Sequence, residues 1–186
     1  MRKEDKHKAI AIPVTAAVDG KPPRFLTVRD RRYQEWTFVT GGCRKREITN
    51  PLRCAVRELE EETRGTVNLR SGVYSYFNFN HSTDITYHVY ILEFDISKYE
   101  QMKLINKFNY AKGKCDKMKQ SGAPVKIVYD ENDMMTFESL SEFSNRENVW
   151  PLIRKNVLEN PEFYVCLNSA NRKLFNFNDR IKSVQS

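Results

Sequence analysis

Residues 41–65, GGCRKREITNPLRCAVRELEEETRG, decide the reading of the chain. A glycine pair and a basic loop run into a helix dense in glutamate. Asn50-Pro51 marks the helix start: asparagine caps free N–H groups, and proline suits the first helical position because its missing N–H would be unpaired there. Leu52, Ala55, Val56 and Leu59 recur at helical spacing as a core-facing stripe. Gly65 is placed to end the helix in a left-handed conformation.

Glu58, Glu61 and Glu62 stand at i, i+3 and i+4, so a single turn brings these carboxylates together. At neutral pH they repel one another, and hard divalent cations with oxygen ligands relieve that repulsion. Mg2+ in particular keeps several waters and takes few carboxylates together with substrate phosphate oxygens. A solvated acidic face is the plain alternative for such a run. Arg57 reaches Glu61 at i+4 or turns back to the preceding loop.

The surroundings of the run favour the metal. Gly41, five residues, Glu47 and then Arg57-Glu58-Leu59-Glu60-Glu61-Glu62 resemble the Nudix box, G-x5-E-x7-R-E-U-x-E-E-x-G-U with U a bulky apolar residue. The sequence departs from that pattern with nine residues, not seven, between Glu47 and Arg57, and with both Thr63 and Arg64 ahead of Gly65. The resemblance spans roughly Ile10 to Leu158 apart from a basic insertion. It implies an α/β (α+β) fold, a mixed β-sheet sandwiched between α-helices, and hydrolysis of a diphosphate bonded to a second moiety. Mg2+ or Mn2+ is then the cofactor, held by Glu58, Glu61 and Glu62. Gly41, Gly42, Glu47 and Arg57 form the loop around the box. Glu131 is the best match for a further metal ligand or catalytic base, with Asp130, Asp133 and Glu138 as rivals. Arg44, Lys45 and Arg46 are either clamps for phosphate oxygens or an exposed basic turn. Trp36 and Phe38 share one face of the strand leading into Gly41, as base-stacking or core aromatics.

The 186 residues make one domain, with 40% hydrophobic and 30% charged residues. No apolar run is long enough to span a membrane and no signal-peptide pattern opens the chain. Cys43, Cys54, Cys115 and Cys166 are scattered without a C-x-x-C pair, so no zinc site is expected. Reduced thiols in a cytoplasmic protein are the default, with Cys43 and Cys54 as packing residues. The net charge of +7 points to a polyanionic partner.

Strands are expected at 9–18 (with Pro13 at an edge or bulge), at 24–29 as its hairpin partner, and at 35–40. Others are expected at 72–78, 84–95, 124–129 and 134–140, with a helix at 148–158. His81 reads as a loop residue around the turn Asn80-His81-Ser82 and His88 as a strand residue without a ligand-spaced partner. The C-terminal extension, about 160–186, has aromatics but no functional reading. Residues 97–126 form a basic insertion: Lys98 to Lys126 holds eight lysines against Glu100 and Asp116, a net +6. Tyr99, Phe108 and Tyr110 are interleaved, and 99–110 reads as a helix with Met102, Leu104, Ile105 and Phe108 on its apolar side. Lysines meet phosphates and rings stack on bases, so Lys103, Lys107, Lys112 and Lys114 are candidate RNA contacts; a solvated lid helix is the alternative.

The insertion and the phrase FVTGG-x-RK resemble the mRNA-decapping Nudix enzymes of large DNA viruses, of the poxvirus and African swine fever virus kind. That resemblance implies cleavage of capped RNA with release of m7GDP, in the cytoplasm of a host if the protein is viral. A small-molecule pyrophosphatase acting on inositol pyrophosphates, nucleotides, dinucleotides or ADP-ribose is the second reading. A non-catalytic RNA-binding module is the third.

Overall fold

The structure, a computed structural model, describes residues 6–178. The charged lead-in and the end of the C-terminal extension lie outside the described residues. In order come β1 (Lys6–Val14), β2 (Arg24–Asp30), β3 (Trp36–Thr37), β4 (Val39–Gly42), α1 (Pro51–Glu62), β5 (Ser71–Ser82) and β6 (Ile85–Glu93). They are followed by α2 (Lys98–Gln120), β7 (Asn132–Ser139), α3 (Leu140–Ser144), α4 (Pro151–Ile153), α5 (Pro161–Leu167) and β8 (Lys173–Asn176). Helix α4 continues through a π-turn at Arg154–Leu158.

The sheet runs β3-β2-β1-β6-β5-β8, with β4 also paired to β1 and β7 to β2. Among the described residues the β1–β6 ladder is parallel, the other strand pairs are antiparallel, and a lone parallel bridge joins Trp36 to Val149. Strand β1 is apolar almost throughout because both of its faces are covered. Ala9 and Ala11 pack with Leu52, Ala55, Val56 and Leu59 of α1 and Phe108 of α2. Ile10 and Ile12 pack on the other face with Phe143, Leu152, Ile153 and Phe163. The expected mixed sheet between helices is what forms.

Several local expectations need correction. Pro13 sits at no edge: β1 is central, pairing with β4 over Lys8–Ala11 and with β2 at Val14. Pro13 falls between these two partners, where its missing N–H forfeits no ladder bond. Strand β2 is only nominally the hairpin partner of β1; it pairs along its length with β7. The strand expected at 35–40 is split at Phe38, because β3 joins β2 while β4 joins β1. No strand forms at 124–129, where Ile127–Tyr129 is a 3-10 turn. Strand β5 runs on through Ser82, moving the turn to Thr83 and Asp84. His88 lies in a strand, β6, as expected, and its ring shares hydrogen bonds with His7 (2.9 Å) and the Tyr76 hydroxyl (2.7 Å).

Helix α2 is 23 residues long, about twice the expected length, and starts at a capping box of Ser97 and Glu100. Phe108 is its buried anchor, Leu104 and Ile105 are half-buried, and Met102 points outward. The extension after residue 160 belongs to the core: Phe163 is fully buried against Phe25, Phe38 and Phe77, and β8 pairs with β5. Helix α1 begins at Pro51 as expected, but Asn50 makes no side-chain cap; its carbonyl accepts from the Arg53 amide at 3.0 Å. Gly65 does end the helix, at φ +76°.

Cys43 and Cys54 are not separate thiols but joined as a disulfide, while Cys115 and Cys166 are free. The bond ties the segment after β4 to the first turns of α1. It closes a sequence separation of 11 residues, so loop entropy alone gives it roughly 2 to 3 kcal/mol. Dithiothreitol should therefore lower the chemical-denaturation stability by about that amount. Cys43→Ser should match the reduced protein; equal stability in both redox states would remove the bond from the structure.

Candidate active site

The site is built where β4 meets α1. Gly41 has no side chain because the Glu58 carboxylate lies where a Cβ would be. Arg57 organises the rest. Its Nε and Nη2 donate to the two oxygens of Glu47, both at 2.9 Å. Nη2 also donates to the Gly42 carbonyl at 2.9 Å. Nη1 donates to Glu58 at 2.9 Å and to Glu61 at 3.0 Å. The lengthened loop between Glu47 and Arg57 thus bulges without breaking their contact.

Burial works against the charge on Glu47, but Arg57 and the Arg44 amide hold its carboxyl below the ordinary range. The box acids behave oppositely. Burial pushes Glu58 up to about 7; Arg57 opposes this, while Glu61 and Glu131 add to it. Glu62 is driven well above the usual carboxylate range by burial first and by Glu58 second, against a hydrogen bond from Asn132. The Asn132 amide reaches the Glu62 carboxylate at 3.1 Å. Glu131 is raised by burial, then by Glu61 and Asp30.

Glu131 therefore feels the box glutamates although it is far from them in sequence. Its rivals are otherwise engaged. Asp130 is held by Arg31 and Arg64, each at 3.0 Å, and by Lys119. Asp133 is gripped by Arg29 and Gln34. Glu138 accepts from Thr27 and Arg146. Among the described residues Glu131 makes no ion pair.

Among the described residues no three His, Cys, Asp or Glu side chains form a ready metal cage. The donor set nonetheless fits hard cations: Glu58, Glu61, Glu62 and Glu131 offer carboxylate oxygens, three of them with raised affinity for protons because they are buried near like charge. A cation that borrows substrate oxygens needs no closed cage.

A cavity of about 370 Å3 holds Gly41, Glu62 and Glu131 and is also lined by Lys8, Tyr33, Glu35 and Trp150. Trp36 and Phe38 are not in it. Both are core residues, Phe38 fully buried against Phe143, and the aromatic side chains lining the cavity are Tyr33 and Trp150. A larger cavity, about 640 Å3, opens at the Val14 end of the sheet, away from the carboxylates. Arg44 turns toward Glu61 (3.5 Å), while Lys45 and Arg46 stay exposed on their 3-10 turn. Lys103, Lys107 and Lys114 face outward from α2, but Lys112 turns to the body and meets Asp116 at 3.8 Å.

Sequence reasoning missed Tyr33, Glu35, Asn132 and Trp150. Trp150-Pro151 signals a helix start, and Tyr33 sits in a cluster of arginines; neither pattern says which way a ring faces.

A mixed sheet between helices thus carries an arginine-organised glutamate cluster beside a cavity of about 370 Å3. The model of the NUDIX domain matches residues 5–105, and the chain belongs to the Nudix hydrolase family. That match covers the box and stops before Glu131. The NUDIX domain of Shewanella oneidensis NrtR, solved with ADP ribose, superposes with a TM-score of 0.50 at 10% identity over 82% of this chain and 84% of that one. A Caenorhabditis elegans Ap4A hydrolase gives 0.45 at 11% identity over 74% and 82% of the two chains. The MutT protein of Methanosarcina mazei gives 0.47 at 17% identity over 83% and 91%. No curated protein matches the chain in sequence.

The raised carboxyls fix a pH dependence. Glu58 and Glu62 bind protons more tightly folded than unfolded, so their contribution to stability is present below the ordinary glutamate value and is lost as pH rises through about 7. The metal-free protein should melt lower at about pH 8 than at about pH 5. Glu62→Gln should raise the melting temperature at the higher pH and flatten the difference. Calorimetry in EDTA measures both; a wild-type protein equally stable at the two pH values would refute the electrostatic account.

Proposed function

We propose that the protein hydrolyses the 5′ cap of RNA with the help of Mg2+ or Mn2+, releasing m7GDP and leaving a 5′-monophosphate end. Glu58, Glu61, Glu62 and Glu131 hold the cations. Cations held there would offset the charge of the diphosphate and lower the pKa of a bound water. Glu131, which like Glu62 makes no ion pair among the described residues but unlike Glu62 accepts no side-chain hydrogen bond there, takes the proton of the attacking water. Arg57 fixes Glu58 and Glu61 in position, and Glu47 fixes Arg57. Arg44, Lys45 and Arg46 contact phosphate oxygens from the exposed turn. The place of action is the cytoplasm, that of the host if the protein is viral.

One observation carries the RNA reading: the outward face of α2 and the way that helix is docked. Tyr99, Lys103, Lys107, Tyr110, Lys114 and Lys117 are all exposed. Lys103 stands 6.0 Å from the centre of the Tyr99 ring, and Lys114 stands 4.8 Å from that of Tyr110. The two Tyr-Lys pairs repeat after eleven residues, about 16 Å along the helix axis. Phosphate-binding lysines beside stacking rings suit single-stranded nucleic acid. The helix ends on the active site, because Lys119 pairs with Asp130, the neighbour of Glu131.

A small-molecule pyrophosphatase needs the cavity alone and leaves Tyr99 and Tyr110, 73% and 67% exposed, without a task. A non-catalytic module has no use for buried, repelling carboxylates.

Glu61→Gln is near isosteric and should keep the fold while lowering the rate on capped RNA by roughly a hundredfold or more. A wild-type rate would remove the metal assignment. Replacing Lys103, Lys107, Lys114 and Lys117 by Ala should weaken binding of capped RNA and flatten its salt dependence by about 0.7 in log–log slope per lost phosphate contact. Hydrolysis of a short diphosphate lacking an RNA body should change little. Unchanged affinity and slope would favour the small-molecule enzyme.

A further inference from the structure

Glu62 is the acid of the box cluster that Arg57 does not reach. That guanidinium spends its donors on Glu47, the Gly42 carbonyl, Glu58 and Glu61. Neutral donors hold Glu62 instead. The side-chain amide nitrogen of Asn132 donates to the Glu62 carboxylate at 3.1 Å and to the Glu62 backbone carbonyl at 3.3 Å. The Thr40 backbone amide, on β4, is a further donor to the same carboxylate. A backbone carbonyl can only accept, so the Asn132 amide must keep its nitrogen toward Glu62. Bonding both the backbone and the tip of one residue fixes how its side chain is folded. A neutral amide does this without adding positive charge that would oppose an arriving cation.

An irregularity in the sheet puts Asn132 there. In the β2–β7 ladder Arg29 pairs with Met134 but Asp30 pairs with Asn132, leaving Asp133 as an extra residue. A bulge of this kind re-aims the side chains beside it. Met135 and Phe137 pack in the same core as Leu52, Ala55 and Leu59 of α1. Strict alternation would send Asn132 to the opposite face with Met134, which is exposed. The extra residue reverses that parity, and Asn132 is buried against the end of α1, 4% exposed. The backbone around it is anchored as well. Arg64 Nη2 donates to the Asn132 carbonyl at 2.8 Å, and the Arg31 amide donates to the Glu131 carbonyl at 2.9 Å. Asp133 is held by Arg29 Nε at 2.9 Å.

We propose that Asn132 is a positioning residue for the cations: it holds Glu62 of the box helix in place beside Glu131, its own neighbour in the chain, so that acids from two distant segments serve one set of ions. Arg57 positions Glu58 and Glu61, and Asn132 positions Glu62. This inference rests on reading these carboxylates as the holders of Mg2+ or Mn2+, and not on which diphosphate is cleaved.

The test is titration of the full chain with Mn2+ alone, followed by the loss of the electron paramagnetic resonance signal of free Mn2+. Asn132→Leu, close in size but without donors, should weaken binding roughly tenfold to a hundredfold while keeping the circular-dichroism spectrum of the folded protein. Asn132→Ser keeps one donor and leaves room for a water. It should fall between wild type and the leucine variant, and it carries the test if the leucine variant does not fold. In a Glu62→Gln protein, adding Asn132→Leu should change Mn2+ affinity by less than about threefold, because a residue that acts through Glu62 then has nothing to act on. Equal affinity in wild type and both single variants, or an undiminished loss in the Glu62→Gln protein, would overturn the inference. Wild type that takes up no Mn2+ would remove the metal assignment and this role together. Uptake that depends on Asn132, in a protein that leaves capped RNA intact, would remove decapping and leave the role of Asn132 standing.

Discussion

The structure of the site depends on one guanidinium. Arg57 binds both oxygens of Glu47, the Gly42 carbonyl, Glu58 and Glu61, so a single side chain joins the loop to the helix and holds repelling acids side by side. Arginine suits this because its planar fork presents several donors in fixed directions, which lysine does not. The cluster is balanced rather than neutralised. Arg57 satisfies Glu47 fully, and Glu58, Glu62 and Glu131 remain with raised affinity for positive charge.

Much of this was legible in the sequence because it is local. The contacts of the box lie within one helix and the loop before it, so helical spacing places Glu58, Glu61 and Glu62 on one face and the resemblance places Gly41 in the loop beside them. Glu131 was reachable as a choice among neighbouring acids, but the choice itself needed the partners of Asp130, Asp133 and Glu138. What stayed hidden depends on distant pairing. Adjacency in the chain predicts the β1–β2 pair, which forms only at Val14 and Phe25; the partner along the length of β2 is β7, about a hundred residues on. Glu35, Tyr33 and Trp150 share a cavity only because β3 takes residues 148–150 as a neighbour. Trp36 and Phe38 stay open between stacking and core in the sequence, because alternation says which residues share a face and not which face is buried. The Cys43–Cys54 bond escaped because scattered cysteines carry no pairing signal of their own.

The departures from the family pattern are informative where they fall. Arg64, the additional residue before Gly65, takes a left-handed conformation at φ +57°. From there it pairs with Asp130, lies 5.1 Å from the centre of the Phe108 ring of α2, and donates to the Asn132 carbonyl. One extra residue at the end of the box helix thus bonds the inserted helix to the acid-bearing strand. Together with Lys119 and Arg31 it makes Asp130 the point where box, insertion and β7 meet.

Pro13 has a meaning beyond its place in the sheet. Strand β1 precedes the rest of the described sheet, apolar over Ala9–Val14, and β4, its neighbour on the side that Pro13 faces, does not begin until Val39. Through that interval an unpaired apolar strand invites pairing with other chains. A proline near its end denies a stranger one of the backbone donors that such pairing requires, and it does so at the position where the native sheet has no use for that donor. The residue that looked like a flaw in a central strand acts as a guard on the nascent chain.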